Sequence, residues 1–124
     1  MREGHGVQIY PDGGRYEGQW KNDKAEGKGK FENSVGDVYE GEWKNDTSNG
    51  YGTLKKKDGT CYEGEWKNDQ QHGYGTEINN TDGSKYVGYF QEGTKHGKGR
   101  IEWKDGSSYD GEWIKNIMEG VVIK

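Results

Sequence analysis

The chain has one cysteine, Cys61, one proline, Pro11, few Leu, Ile or Val residues, and no long apolar run in its 124 residues. The lone thiol excludes an internal disulfide and a cysteine zinc cluster. No stretch reaches the length of a membrane span or of a signal-peptide core, so the expectation is a cytoplasmic protein. Hydrophobic residues make up 27% and charged residues 32%, and mean hydropathy is −1.37. Those values approach the composition of chains that cannot bury enough apolar surface to offset their ordering entropy. Disordered segments, however, are usually rich in proline and poor in aromatics, whereas this chain is 13% aromatic and its rings are strictly placed.

The placement is a repeat. Tyr, any residue, Gly, any residue, then Trp or Phe occurs at Tyr16 to Trp20, Tyr39 to Trp43, Tyr62 to Trp66, Tyr86 to Phe90 and Tyr109 to Trp113. Successive tyrosines are 23 or 24 residues apart, and glycine pairs keep the same step at Gly4/Gly6, Gly27/Gly29, Gly50/Gly52, Gly73/Gly75 and Gly97/Gly99. A period of this length signals stacked units whose neighbours complete each other's core.

Each unit reads as a β-hairpin. Alternation in a strand puts Tyr16, Gly18 and Trp20 on one face and Glu17, Gln19 and Lys21 on the other. After a loop from Asn22 to Glu26, a second strand places Gly27, Gly29 and Phe31 on the inner face and Lys28, Lys30 and Glu32 outside. Regular glycine within strands implies that something large approaches the backbone there. The rings are the candidates, lying over glycine positions of neighbouring strands. Return turns are expected at Asp12-Gly13, Asp58-Gly59, Asp82-Gly83 and Asp105-Gly106, where glycine allows positive φ. One unit has Val35-Gly36-Asp37 instead. Another carries an extra residue between Gly75 and Asp82, for which a bulge restoring Ile78 to the inner face in place of Glu77 is the expectation.

Tyr39-Glu-Gly-Glu-Trp-Lys-Asn45 and Tyr62-Glu-Gly-Glu-Trp-Lys-Asn68, each followed by Gly-Tyr-Gly and a later Asp-Gly, resemble MORN repeats. The resemblance spans nearly the whole chain. The expected fold is all-β: an elongated single antiparallel sheet of stacked hairpins, with units 16–38, 39–61, 62–85 and 86–108 between partial units 1–15 and 109–124. At ~4.8 Å per strand, such an array extends for roughly 50 Å.

Catalytic chemistry finds no support. His5, His72 and His96 are spread along the array, and equivalent positions of neighbouring units lie about 10 Å apart, too far to share a metal. Serines and threonines have no partner histidine at a recurring place. Gly93-Thr-Lys-His-Gly-Lys-Gly99 lacks the spacing, the Lys-Ser/Thr pair and the helix of a phosphate loop. Cofactors are expected to be absent, and the net charge of −4 argues against a nucleic-acid partner.

Binding remains. The resemblance implies a scaffold for membrane or cytoskeletal structures, and in some family members phosphoinositide binding. One reading is a protein partner gripped by aromatic rows, Tyr16, Tyr39, Tyr62, Tyr86 and Tyr109 or Trp20, Trp43, Trp66, Phe90 and Trp113. A second is an acidic-lipid module built on Lys55, Lys56 and Lys57, extended by Lys28 and Lys30, although glutamates stand across from those lysines. A third follows from arrays of this family that accompany lipid kinase or methyltransferase domains, neither of which is in this chain. At the C-terminal end, Ile117, Met118, Val121, Val122 and Ile123 read either as a cap or as the contact of a homodimer through terminal strand edges.

Overall fold

A computed structural model describes residues 2–119. Eleven strands run in chain order: β1 (Gly4–Ile9), β2 (Arg15–Lys21), β3 (Lys24–Glu32), β4 (Val38–Lys44), β5 (Thr47–Lys55), β6 (Cys61–Lys67), β7 (Gln70–Ile78), β8 (Lys85–Gln91), β9 (Thr94–Glu102), β10 (Ser108–Ile114) and β11 (Ile117–Glu119). They form one open antiparallel sheet in which each strand pairs with its neighbours in sequence. The all-β hairpin array is therefore the fold.

Two turn chemistries alternate along it. Within a unit the turn is only two residues: Asn22 and Asp23 have φ of 52° and 64°, and Lys21 pairs directly with Lys24. Positive φ at both central residues is the turn that matches strand twist, and Asn and Asp tolerate it best. The loop expected from Asn22 to Glu26 is thus shorter, because its last three residues belong to β3. Between units, the Gly13 N–H donates to Tyr10 O at 2.9 Å and the Tyr10 N–H to Gly14 O at 2.8 Å. Gly13 supplies the positive φ, 96°, and Asp12 Oδ1 accepts the Gly14 N–H at 2.8 Å. Where Val35 replaces that aspartate, Asn33 Oδ1 accepts the N–H groups of Val35, Gly36 and Asp37.

The early turn displaces register. Gly18 pairs with Gly29 but Trp20 with Ala25, so Glu26, Gly27 and Lys28 together oppose Gln19. Gly27 is a bulge residue with φ of 85°, and a side chain there would point at Gln19. This corrects the inner-face assignment of Gly27 and of its equivalents Gly50, Gly73 and Gly97. Their glycines are required by backbone conformation, not by a ring.

The ring-over-glycine arrangement holds at the other glycines of the repeat. A Cβ on Gly29, Gly52, Gly75 or Gly99 would collide with the tyrosine ring of the same hairpin. One on Gly64 would sit 2.5 Å from Gly75 Cα and 2.6 Å from Tyr74 O. Paired glycines bring adjacent backbones and rings closer than any side chain allows.

The extra residue of the 24-residue unit causes no bulge in β7. Glu77 still pairs with Tyr86 and stays on the inner face, while Ile78 is 47% exposed. The insertion is absorbed in the turn, where the Gly83 N–H reaches back to Asn79 O at 2.9 Å. A longer turn leaves the strand ladder intact, whereas a bulge would break it.

Candidate functional site

The inner face is one aromatic ladder. Tyr16 meets Trp20 and Trp43, Tyr39 meets Trp43 and Trp66, Tyr62 meets Trp66 and Phe90, Tyr86 meets Phe90 and Trp113, and Tyr109 meets Trp113. Ring centroids are 5.0 to 5.5 Å apart and all contacts are edge-to-face, the arrangement favoured by ring quadrupoles. Each tyrosine hydroxyl donates to the carbonyl three residues on, from Gln19 O at 2.9 Å to Glu112 O at 3.0 Å. Trp43, Trp66 and Trp113 donate Nε1–H to Gly29, Gly52 and Gly99 carbonyls of the preceding unit at 3.0 to 3.1 Å. The stack links unit to unit through rings and hydrogen bonds at once.

Nine of the ten rings offered as partner-binding aromatics are buried, and Trp43 is partly buried against them. The two rows come together as one interleaved core, of which Tyr16, Trp20 and Trp43 also line a cavity on the inner face. Sequence alternation identified their face but not that each ring is covered by its neighbours. Burial pushes the phenols of Tyr16 and Tyr86 up to about 12. Tyr39 and Tyr62 are raised as well, by burial first and by the Glu42 and Glu65 carboxylates next.

Aromatic surface lies instead on the outer face. Tyr51, Tyr74 and Tyr89 are 53%, 49% and 49% exposed. Tyr51 and Tyr74 occupy the position of Lys28 and Lys98 in the other units, a difference legible in Gly50-Tyr-Gly52 and Gly73-Tyr-Gly75.

The outer face of β1 to β6 forms a groove of about 1220 Å³. Its lining includes the backbone of Gly18, Gly29, Gly41 and Gly52, with Glu17, Lys28, Lys30, Glu40, Glu42, Tyr51, Thr53 and Glu63 among the flanking side chains. Lys55 and Lys56 line it too. Lys57 does not; its N–H donates to Asp37 Oδ1 at 2.9 Å and its side chain lies beside Gly36. Lys28 and Lys30 stand directly across from Glu42 and Glu40 in the ladder. Four of the five candidate lipid-binding lysines therefore meet in one groove, interleaved with carboxylates.

A smaller cavity of about 570 Å³ opens on the inner face near Tyr10, Ala25, Phe31 and Trp43, with Asp23, Asp46 and Asp69 along its lining. Asp46 and Asp69 are engaged: each accepts a backbone N–H of the preceding unit, from Ala25 and Ser48, at 2.7 Å. Among the described residues no group of His, Cys, Asp and Glu could hold a metal ion, and no helix is long and apolar enough to cross a membrane.

At the C-terminal end Met118 packs on the core while Ile117 is 64% exposed. Val121, Val122 and Ile123 lie outside the described residues.

An open sheet of repeated hairpins, cored by interleaved rings seated on glycine, defines a β-repeat array. Family comparison gives the same answer: residues 1–15, 16–38, 39–61, 62–83, 86–108 and 109–121 each match the MORN repeat, and the chain belongs to that family. No curated protein sequence shows significant similarity to it. MORN repeats are generally interaction or scaffold modules and typically non-catalytic.

Proposed function

We propose that the array is a non-catalytic scaffold whose outer-face groove takes a segment of a protein partner. The observation that carries this reading is the glycine-floored groove itself. With most inner rings covered by the core, it is the large concavity that combines a glycine floor, an exposed tyrosine and charges of both signs. Glycine lets a partner approach the sheet closely. Along the groove the walls alternate from Lys28 and Lys30 to Glu40 and Glu42, then Tyr51 and Thr53, then Glu63, a pattern suited to a partner of mixed charge.

The lysines of the groove supply a second reading, an acidic headgroup. Polybasic attachment needs uncompensated charge, and the interleaved glutamates favour the protein partner. A position at the periphery of membranes or the cytoskeleton follows from the family resemblance alone.

The test is affinity capture with the parent and with Lys28→Glu/Lys30→Glu, both folded by circular dichroism. Each captured protein is then purified and titrated calorimetrically. Direct binding to the parent, weakened at least tenfold in the variant, supports the groove. Equal affinity for both removes it. Flotation with phosphoinositide vesicles runs beside it, and salt-sensitive binding lost in the variant would move the assignment to lipid.

A further inference from the structure

We propose that the chain forms a two-fold dimer by stacking the outer faces of β7 and β8 from two copies. This inference does not rest on the groove's ligand: its rings are on β7 and β8, outside the groove, and the two surfaces meet at Glu63, the last residue of the groove.

The outer faces of these adjacent strands carry no carboxylate. Tyr74 and Tyr89 pair directly across the ladder, stand half exposed and pack edge-to-face with centroids 5.3 Å apart. Beside them, Thr76 pairs with Val87. The two rings already hold each other in place, so burying them costs little further ordering.

The flanking charges name the occupant. On one side β6 presents Glu63 and Glu65, exposed; on the other β9 presents Lys98 and Arg100, also exposed. Ladder pairing, with the bulges opposite Glu65 and Tyr89, aligns these groups in two rows across four strands. One row reads Glu63, Thr76, Val87, Arg100. The other reads Glu65, Tyr74, Tyr89, Lys98, with Glu65 Oε2 accepting the Tyr74 N–H at 2.7 Å. Each row runs from negative through uncharged to positive, which is self-complementary.

A two-fold axis parallel to the strands, midway between β7 and β8, sets β7 of one copy on β8 of the other and β6 on β9. Glu65 then faces Lys98 of the second copy, Glu63 faces its Arg100, and Tyr74 faces its Tyr89. Every contact occurs twice, as an isologous interface requires. Across β5 to β10 no like charges meet: Tyr51 and Thr53 face Glu112 and Asp110. Among the described residues Arg100 has loose, exposed contacts, 3.7 Å to Glu102 and 3.9 Å to Asp110, and keeps the reach to serve the second copy.

Four strands ~4.8 Å apart and three alternate residues deep give roughly 300 Å² per copy. That is below the ~800 Å² per partner of stable complexes, so the dimer is weak and concentration-dependent. The two arrays run in opposite directions and overlap only in part, which leaves β1 to β3 of each copy extending past the other.

Sedimentation velocity tests this on the full chain at rising concentration up to millimolar protein. The parent is expected to shift towards dimer, less so in high salt. Glu63→Lys/Glu65→Lys and Lys98→Glu/Arg100→Glu should each stay monomeric, since each sets like charges face to face. Their equimolar mixture should recover dimer, because each mixed pair has opposite charges at both edges. Tyr89→Gln, with the residue that fills this site as Gln19, should weaken association without charge change. All replaced side chains are exposed, and circular dichroism checks folding. A parent that remains monomeric, variants that associate like the parent, or a mixture no more dimeric than its components would each overturn the proposal. End-to-end association through the terminal strands would survive both charge variants.

Discussion

Lys95 reaches across β8 to Glu77, with Nζ 3.2 Å from Oε1 and 5.4 Å from the Tyr86 ring centroid. Both side chains are about four-fifths buried on the aromatic face. The equivalent sites elsewhere hold Ala25, Ser48 and Gln71 for the lysine, and Phe31, Leu54 and Ile101 for the glutamate. Two adjacent units are therefore joined here by an ion pair beside a ring, where the other units have uncharged residues. Removing one partner strands the other, whereas replacing both with the residues of neighbouring units does not. Glu77→Leu is expected to lose about 1–2 kcal/mol, and Glu77→Leu/Lys95→Ser to return near the parent. A double-mutant cycle in urea measures the coupling; independent, additive effects would contradict it.

The short turns carry a second prediction. Asp46, Asp69 and Asn116 each accept a backbone N–H from the preceding unit through Oδ1, at 2.7 to 2.8 Å. Gly93 holds that place in the fourth unit without a side chain, and its own N–H donates to Gln71 O at 2.9 Å. Its φ of 82° strains a side chain, but Asp46 and Asp69 hold this place at 66° and 67°, and a Cβ there meets nothing within 4 Å. Gly93→Asp is expected to add the missing acceptor for the Gln71 N–H and to stabilise by about 0.5–1 kcal/mol, read from the urea midpoint.

Phe90 breaks a different series. Trp43, Trp66 and Trp113 donate to glycine carbonyls one unit back, and Phe90 has no nitrogen with which to reach Gly75 O. Phe90→Trp should restore that bond and raise stability by about 0.5–1 kcal/mol. A lower melting temperature would show that Lys95, paired with Phe90 in the ladder, occupies the space the indole needs.

Much of this was readable from spacing. Tyr16, Trp20, Gly18 and Gly29 announced the inner face, because a period of two inside a period of 23 leaves few alternatives. Gly27 was not legible: its glycine looks like that of Gly29, and only the two-residue turn at Asn22-Asp23 reveals that it sits in a bulge. Glu77 was misplaced because strand alternation cannot distinguish a longer turn from a bulge. The ten core rings were read as a binding row because sequence gives the face of a residue but not what covers it. The patch of Tyr74 and Tyr89 is not legible in the sequence, because 15 residues separate two rings that only pairing across the ladder brings together.

The buried phenols fix the alkaline limit. An ordinary tyrosine ionises near 10, while Tyr16 and Tyr86 are pushed up to about 12. Above pH 10 the unfolded chain loses these protons while the folded chain retains them, so stability falls as pH rises from 10 to about 12. Below pH 10 these groups contribute no pH dependence. Thermal melts between pH 8 and 12 should decline only in the upper half of that range, and the share of the Tyr absorbance at 295 nm that Tyr16→Phe or Tyr86→Phe removes should rise only with unfolding. A rise of that share well before unfolding would contradict the burial of the hydroxyls.

The central claim is that paired glycines exist to let backbones and rings approach. Gly64 tests it in the middle of the array, where a Cβ would lie 2.5 Å from Gly75 Cα. Equilibrium unfolding of Gly64→Val in urea is the most direct measurement. Loss of about 1–3 kcal/mol or more, or failure to fold, is the expected result; an unfolding midpoint equal to the parent's would contradict the account.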